Sequence, residues 1–482
     1  MHETKHTQNL SRRKFFKQTG GVAAITAMGG LPAGKALAES QSESSPTRRA
    51  KNIIFLVSDG MSHGTLAMAD QYRRLVDGRP SNWLKLYDRP GIHRGLMDMA
   101  SADNLVTDSA AASSSWGCGK RIPNGRINVD QDGQWLEPIL PIAHRHGLRT
   151  GLVTTAAVTH ATPAGFAANG ERRGRGGQMN FAVQYLERGI DVILGGGSRF
   201  FNAHRRGDDR DLVADYVEKG YAHSSNRDEL LALPPEQERI LGLFQGRHLP
   251  FEIDRLNNPD LLAGVPSLAE MTDAALRRLS RGDNGFIVQI EGARVDHAAH
   301  RNDLCGLIFD QLAFDDAIEV ALRFADEHPD TLVIVTTDHG NANPGLNTGP
   351  DRGEHHLGLL RNFKTSLDQL AGNLQSIGNP TVANVTELVE ARTGIVLAEN
   401  HANMLVDRLQ GEVPVHYHRM NPFYSVLGQL LANTLEVGWV GNTHTSDYVE
   451  LAAIGPGSER IKAFNRNTDM FTLMTGVLGI HQ

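Results

Sequence analysis

"GFIVQIEGARVDHAAH", residues 285 to 300, changes its periodicity halfway along. Phe286, Ile287, Val288 and Ile290 make a nearly unbroken apolar run, the pattern of a strand covered on both faces rather than one. The run closes on Glu291 and Gly292, and the alanine-rich stretch that follows carries Asp296 and His300 four positions apart. On a helix those two side chains share a face and can grip one ion from the same side. A buried strand that ends in an acid and feeds a ligand-bearing helix is the unit from which the fold can be read.

Four further runs have the same texture: "NIIFLVSDG" (52–60), "TGLVTTAAVTH" (150–160), "DVILGGG" (191–197) and "TLVIVTTDHG" (331–340). Between or beside them, "PSLAEMTDAALRRL" (266–279) and "LCGLIFDQLAFDDAIEVALRFADEH" (304–328) place apolar residues at helical spacing. Strands alternating with helices predict an α/β fold, a three-layer α/β/α sandwich around a mainly parallel central sheet. Four of the five strands end in a potential metal ligand: Asp59, His160, Glu291, and the pair Asp338 and His339. A strand-end acid can simply cap the next helix. Four together predict one site, because open α/β sheets bind ligands beyond the carboxyl ends of their strands. The mixture of carboxylates and imidazoles suits zinc, whereas Thr and Glu oxygens suit magnesium.

"LVTDSAAASSS" (105–115) sets Asp108 directly before Ser109 and then only small residues. Both are common N-caps and alanine is the best helix former, so this reads as a capped helix. A sharper reading is a serine hydroxyl presented at a positive helix N-terminus, where an anion docks. The stretch alone leaves both readings open.

The chain has 482 residues, 40% of them hydrophobic, and no run long and apolar enough for a membrane span, so no stable membrane anchor is expected. Cys118 and Cys305 fit neither a disulfide framework nor a thiolate metal cluster, and sequence leaves their pairing open. "SRRKFFK" (11–17) resembles a twin-arginine export signal. It precedes a weakly apolar Gly/Ala stretch and "ALA" at 36–38, a small-residue cleavage site. Residues 1–38 are accordingly expected to be a signal peptide read by the twin-arginine export machinery, 39–50 a linker, and 51–482 the catalytic domain. Removing the signal lowers the formal charge from −7 to −12, and an acidic mature chain argues against a nucleic-acid partner.

Taken in order, "SDG" (58–60), "TDSAA" (107–111), "HATPAG" (160–165), "EGARVDHAAH" (291–300), "TTDHG" (336–340) and "THT" (443–445) resemble the alkaline phosphatase family from Asp59 to His444. The resemblance implies hydrolysis of phosphate monoesters through a phosphoserine, with two zinc ions and one magnesium. It implies that Asp296, His300 and His444 hold the first zinc, and that Asp59, Asp338 and His339 hold the second, completed by Ser109. Asp59 would bridge to magnesium, which Thr162 and Glu291 also bind. His160 and His297 fall where relatives vary, and would tune metal preference and phosphate release in a direction the residues leave open. Family spacing points to Arg173 as the arginine that grips phosphate, oriented by Asp108, with Arg172 and Arg175 as competitors in "ERRGRG". An insertion is expected at 345–440, where His355, His356, His416 and His418 could be surface or core residues or bind a further metal. The family also implies a broad substrate range and, often, a homodimer, while the export signal implies periplasmic or secreted placement. A related diesterase or sulfatase is the first rival: diesterases of this kind usually lack the magnesium set, and no sulfatase motif follows Ser109. A binding protein without turnover is the second, and would have no need of Ser109.

Overall fold

The computed structural model describes residues 49–234, 236–347, 353–411 and 418–480. The expected signal at 1–38 and the linker up to 48 lie outside the described residues. Ala50, assigned to the linker by sequence, is buried, and its N–H donates to the Val477 carbonyl (3.1 Å).

Fourteen strands are described. Those of the main sheet are β1 (Asn52–Ser58), β2 (His93–Asp98), β3 (Arg149–Ala157), β4 (Val192–Gly196), β5 (Ala222–Ser224), β6 (Ile240–Leu243), β7 (Phe286–Gly292), β8 (Thr331–Thr336), β13 (Val449–Ile454) and β14 (Phe464–Arg466). Their order is β14-β2-β13-β8-β1-β7-β3-β4-β6-β5. Only β13 runs against the rest, antiparallel to both β2 and β8. Two short antiparallel pairs lie apart from this sheet: β9 (Gly340–Asn341) with β12 (His444–Thr445), and β10 (Pro344–Leu346) with β11 (Val437–Trp439).

The three layers follow from the two-residue period of a strand. On β1, Ile54 and Leu56 join one hydrophobic cluster while Ile53, Phe55 and Val57 join the other. Strand β8 divides likewise, Val333 and Val335 to the first face and Leu332 and Ile334 to the second. The first face is covered by the helices His63–Asp77, Leu268–Leu279 and Leu304–Glu327, the second by Ser109–Cys118, Ile139–Arg145, Ala161–Ala167 and Asp469–Leu478. Ser267 starts its helix with a full capping box closed by Glu270. Helices Leu367–Gln375, Val382–Thr393, Glu399–Leu409 and Phe423–Leu435 occupy the interval between β10 and β11. Cys118 and Cys305 are both free.

Candidate active site

The parallel strands deliver their carboxyl ends to one edge of the sheet. Asp59 follows β1, Glu291 closes β7, and Asp338 and His339 follow β8; all four side chains are buried. Strand β3 stops at Ala157, three residues short of His160, which takes the N-cap position of Ala161–Ala167 and so brings Thr162 in on the first turn. Gly60 turns with φ +71°, and a Cβ there would sit 2.7 Å from Asp296 Oδ1. Its N–H donates to Asp338 Oδ1 (2.9 Å).

Ser109 begins the helix Ser109–Cys118 with Asp108 as N-cap, whose Oδ1 accepts the Ala111 N–H (2.9 Å). Ser109 Oγ lies 3.3 Å from His339 Nε2, which is itself 3.3 Å from Asp338 Oδ2 and 3.6 Å from Asp59 Oδ1. The other oxygen of Asp108 accepts the Gly125 N–H (2.9 Å) and faces Arg173 Nη1 at 3.2 Å. Arg172 is exposed and has no such contact, and the side chain of Arg175 is not described. Arg173 is thus the arginine that the acid before the serine holds.

Asp296, His300 and His444 close a second cluster. Asp296 Oδ1 is 3.4 Å from His300 Nε2 and 3.5 Å from His444 Nε2, and the two nitrogens are 3.1 Å apart. Each ring turns its Nδ1 to a carbonyl, His300 to Asn442 (2.8 Å) and His444 to Thr107 (3.0 Å). A carbonyl accepts only, so both rings carry their proton on Nδ1 and aim the Nε2 lone pair inward. His339 stacks on His444, with ring centroids 3.7 Å apart.

Ligand atoms converge within 4.8 Å in three groups: Asp296, His339 and His444; Asp59, Asp338 and His339; and Asp59, His160 and Glu291. Both oxygens of Asp59, Asp338 Oδ2, Glu291 Oε1, Thr162 Oγ1 and the Nδ1 atoms of His160 and His339 are buried without a hydrogen-bond partner among the described residues. Such orphaned acceptors cost several kcal/mol each in a protein interior unless a cation meets them. Burial and the neighbouring acids Asp338, Asp296 and Glu291 push the Asp59 carboxyl well up, and burial raises Asp338 and Glu291 to about 7. Burial opposes ionisation of Asp296 as well, but the imidazoles of His300 and His444 outweigh it and hold that carboxyl well below its usual range. The imidazole clusters suit zinc, and the Asp59, Thr162 and Glu291 oxygens suit magnesium.

Several supporting residues carry no sequence signal. Asn341 Nδ2 donates to Asp296 Oδ1 (2.6 Å), and the Thr154 hydroxyl donates to Glu291. His248 stands edge-on to both His160 and His297. Of the insertion histidines, His356 bonds the Thr434 carbonyl through Nδ1 (2.9 Å); His416 lies outside the described residues, as does the side chain of His418.

A family model described as alkaline phosphatase matches residues 50–480. The crystal structure of Thermus thermophilus alkaline phosphatase superposes with a TM-score of 0.83 at 34% identity, covering 94% of this chain and 96% of that one. That of a cold-active alkaline phosphatase from a psychrophilic Shewanella species gives 0.74 at 26% identity, over 89% and 99%. Alkaline phosphatase 4 of Bacillus subtilis is 27% identical over 468 residues, 95% of this chain and 96% of the relative.

Proposed function

This chain belongs to the alkaline phosphatase family and is a hydrolase of phosphate monoesters, and we propose that it works through a phosphoserine formed on Ser109 at a centre of two zinc ions and one magnesium. Asp296, His300 and His444 would hold the first zinc. Asp59, Asp338 and His339, with Ser109, would hold the second; Asp59, Thr162 and Glu291 would hold magnesium, with His160 beside it. When bound, these cations lower the pKa of the serine hydroxyl and stabilise charge on the entering and leaving oxygens.

The chain's own groups do the rest. Ser109 Oγ forms a bond to phosphorus as the bond to the alcohol oxygen breaks, and the alcohol leaves with a proton. Water then attacks phosphorus in line, the Oγ–P bond breaks, and inorganic phosphate departs with the serine hydroxyl restored. Arg173 offers a planar fork to two phosphoryl oxygens throughout, held in place by Asp108. The helix N-terminus at Ser109 adds its positive end to the same charge.

The observation that carries this reading is the placement of Ser109 Oγ 3.3 Å from His339 Nε2, beside both Asp59 oxygens and Asp338 Oδ2, which have no hydrogen-bond partner among the described residues. The test is phosphate release from an aryl phosphomonoester and its matching diester, with zinc and magnesium, after chelation, and with Ser109→Ala. Monoester turnover should vanish on chelation and fall by roughly a thousandfold or more in the variant, and acid quenching should trap phosphate on Ser109. Faster diester cleavage, or full turnover in Ser109→Ala, would overturn it.

The same reading includes a broad substrate range, phosphate scavenging, and delivery to the periplasm or beyond by the twin-arginine route through residues 1–38. Among the described residues no helix is long and apolar enough to cross a membrane. A homodimer, as relatives often form, would be read directly from sedimentation of the mature chain.

A further inference from the structure

Three imidazoles meet beside the Glu291 end of the site. The rings of His160, His248 and His297 lie 4.5 to 5.6 Å apart between centroids, each edge-on to the next. His248 comes from the loop after β6 and has no part in the reading above.

Which nitrogen carries the proton follows from the partners. At His300 and His444 a carbonyl faces Nδ1, so Nε2 is a lone pair and a ligand. At His297 the order is reversed: Arg294 Nη1, which can only donate, lies 2.8 Å from Nδ1. At His248 the Ala157 N–H, again only a donor, lies 3.2 Å from Nδ1. Both Nδ1 atoms therefore accept, both rings are neutral, and both carry hydrogen on Nε2. Neither Nε2 has a partner among the described residues, and both side chains are partly exposed. A ring with N–H at its open edge repels a cation and serves an anion.

Arg294 is itself held. Its guanidinium lies 3.6 Å over the buried Phe251 ring, and its backbone N–H donates to Thr155 Oγ1 (3.2 Å). We propose that Arg294 is a positioning residue that fixes His297 as an Nε2–H donor, and that His297 and His248 form a neutral donor pair for the oxygens of a phosphoryl group. The proposal rests on the reading of the Ser109 site given above, and adds His248 and Arg294 to it.

The test uses the metal-loaded full chain and inorganic phosphate, with affinity measured by titration calorimetry, metal content by mass spectrometry, and tautomers by nitrogen NMR of the histidines. Both rings should show the Nε2–H pattern in the unmodified protein. Arg294→Met should mix the tautomers of His297 and weaken phosphate binding about tenfold, the scale of one hydrogen bond to a charged group. Arg294→Lys, which keeps a donor, should restore most of the loss. His248→Phe keeps the ring, and should weaken phosphate similarly at unchanged metal content; with the NMR of the unmodified protein it stands even if Arg294→Met does not fold. An Nδ1–H pattern at either ring, loss of a metal in His248→Phe, or unchanged phosphate affinity in both variants would overturn the proposal. Turnover surviving in Ser109→Ala, with phosphate still weakened in His248→Phe, would overturn the phosphoserine alone and support the donor pair, which rests only on phosphate binding at that site.

Discussion

Asp108 performs two tasks with its two oxygens. One caps the nucleophile's helix through the Ala111 N–H, and the other holds Arg173 and the Gly125 N–H. The tasks separate by substitution. Asp108→Ala removes both, and should cost about 1 kcal/mol of stability for the lost cap and weaken inorganic phosphate by about tenfold as Arg173 comes loose. Asp108→Asn keeps an oxygen for the cap but turns an NH2 toward Arg173, so stability should change less while phosphate binding weakens as much. Urea melts and competition by phosphate would read the two effects; equal affinity in all three proteins would show that Asp108 does not orient Arg173.

Between elements, the helices Ser109–Cys118 and Ala161–Ala167 approach each other closely. A Cβ on Gly117 would fall 2.0 Å from the Gly165 carbonyl, and one on Gly165 would strike Ser113, whose hydroxyl donates to the Thr162 carbonyl (2.6 Å). The small residues after Ser109 thus let one helix fix the other, and with it the spacing of Ser109 and Thr162. Gly117→Ala should cost about 1–3 kcal/mol through overpacking and lower kcat with KM little changed, measured by denaturant midpoint and steady-state kinetics. The five strands legible in the sequence prove to be the five contiguous central ones, β8-β1-β7-β3-β4. They are buried on both faces and so write unbroken apolar runs, whereas β2, β13 and β14 are short or partly exposed and leave no such trace. The same logic applies to the site. Side chains at strand ends could be read, but the carbonyls of Thr107 and Asn442 that orient two histidines belong to the backbone, which no residue type announces.

For the molecule as a whole, the buried acids tie stability to metal and pH together. Asp338 and Glu291, raised to about 7 without cations, keep protons in the folded state that the unfolded chain releases near its usual pKa of about 4. Their contribution is therefore complete below that range and is lost as pH rises through about 7. Chelated protein should melt at a lower temperature at pH 8 than at pH 5, and zinc with magnesium should abolish or reverse the difference. Calorimetry showing the chelated form equally stable at both would contradict this. One last feature sets the order of events at the ribosome. Strand β13, near the end of the chain, lies between β2 and β8, and Tyr87 reaches Glu450 across 363 positions. Chains emerge N-terminus first, so β2 waits for its β13 partner until more than 350 further residues have been made, and the flank of β8 waits for the same strand. His444 arrives in the same late segment. A chain stopped after Gly441 should consequently retain less zinc than the full chain and associate through its unclaimed strand edges, because one late segment brings both the strand that closes the sheet and a ligand that closes the site.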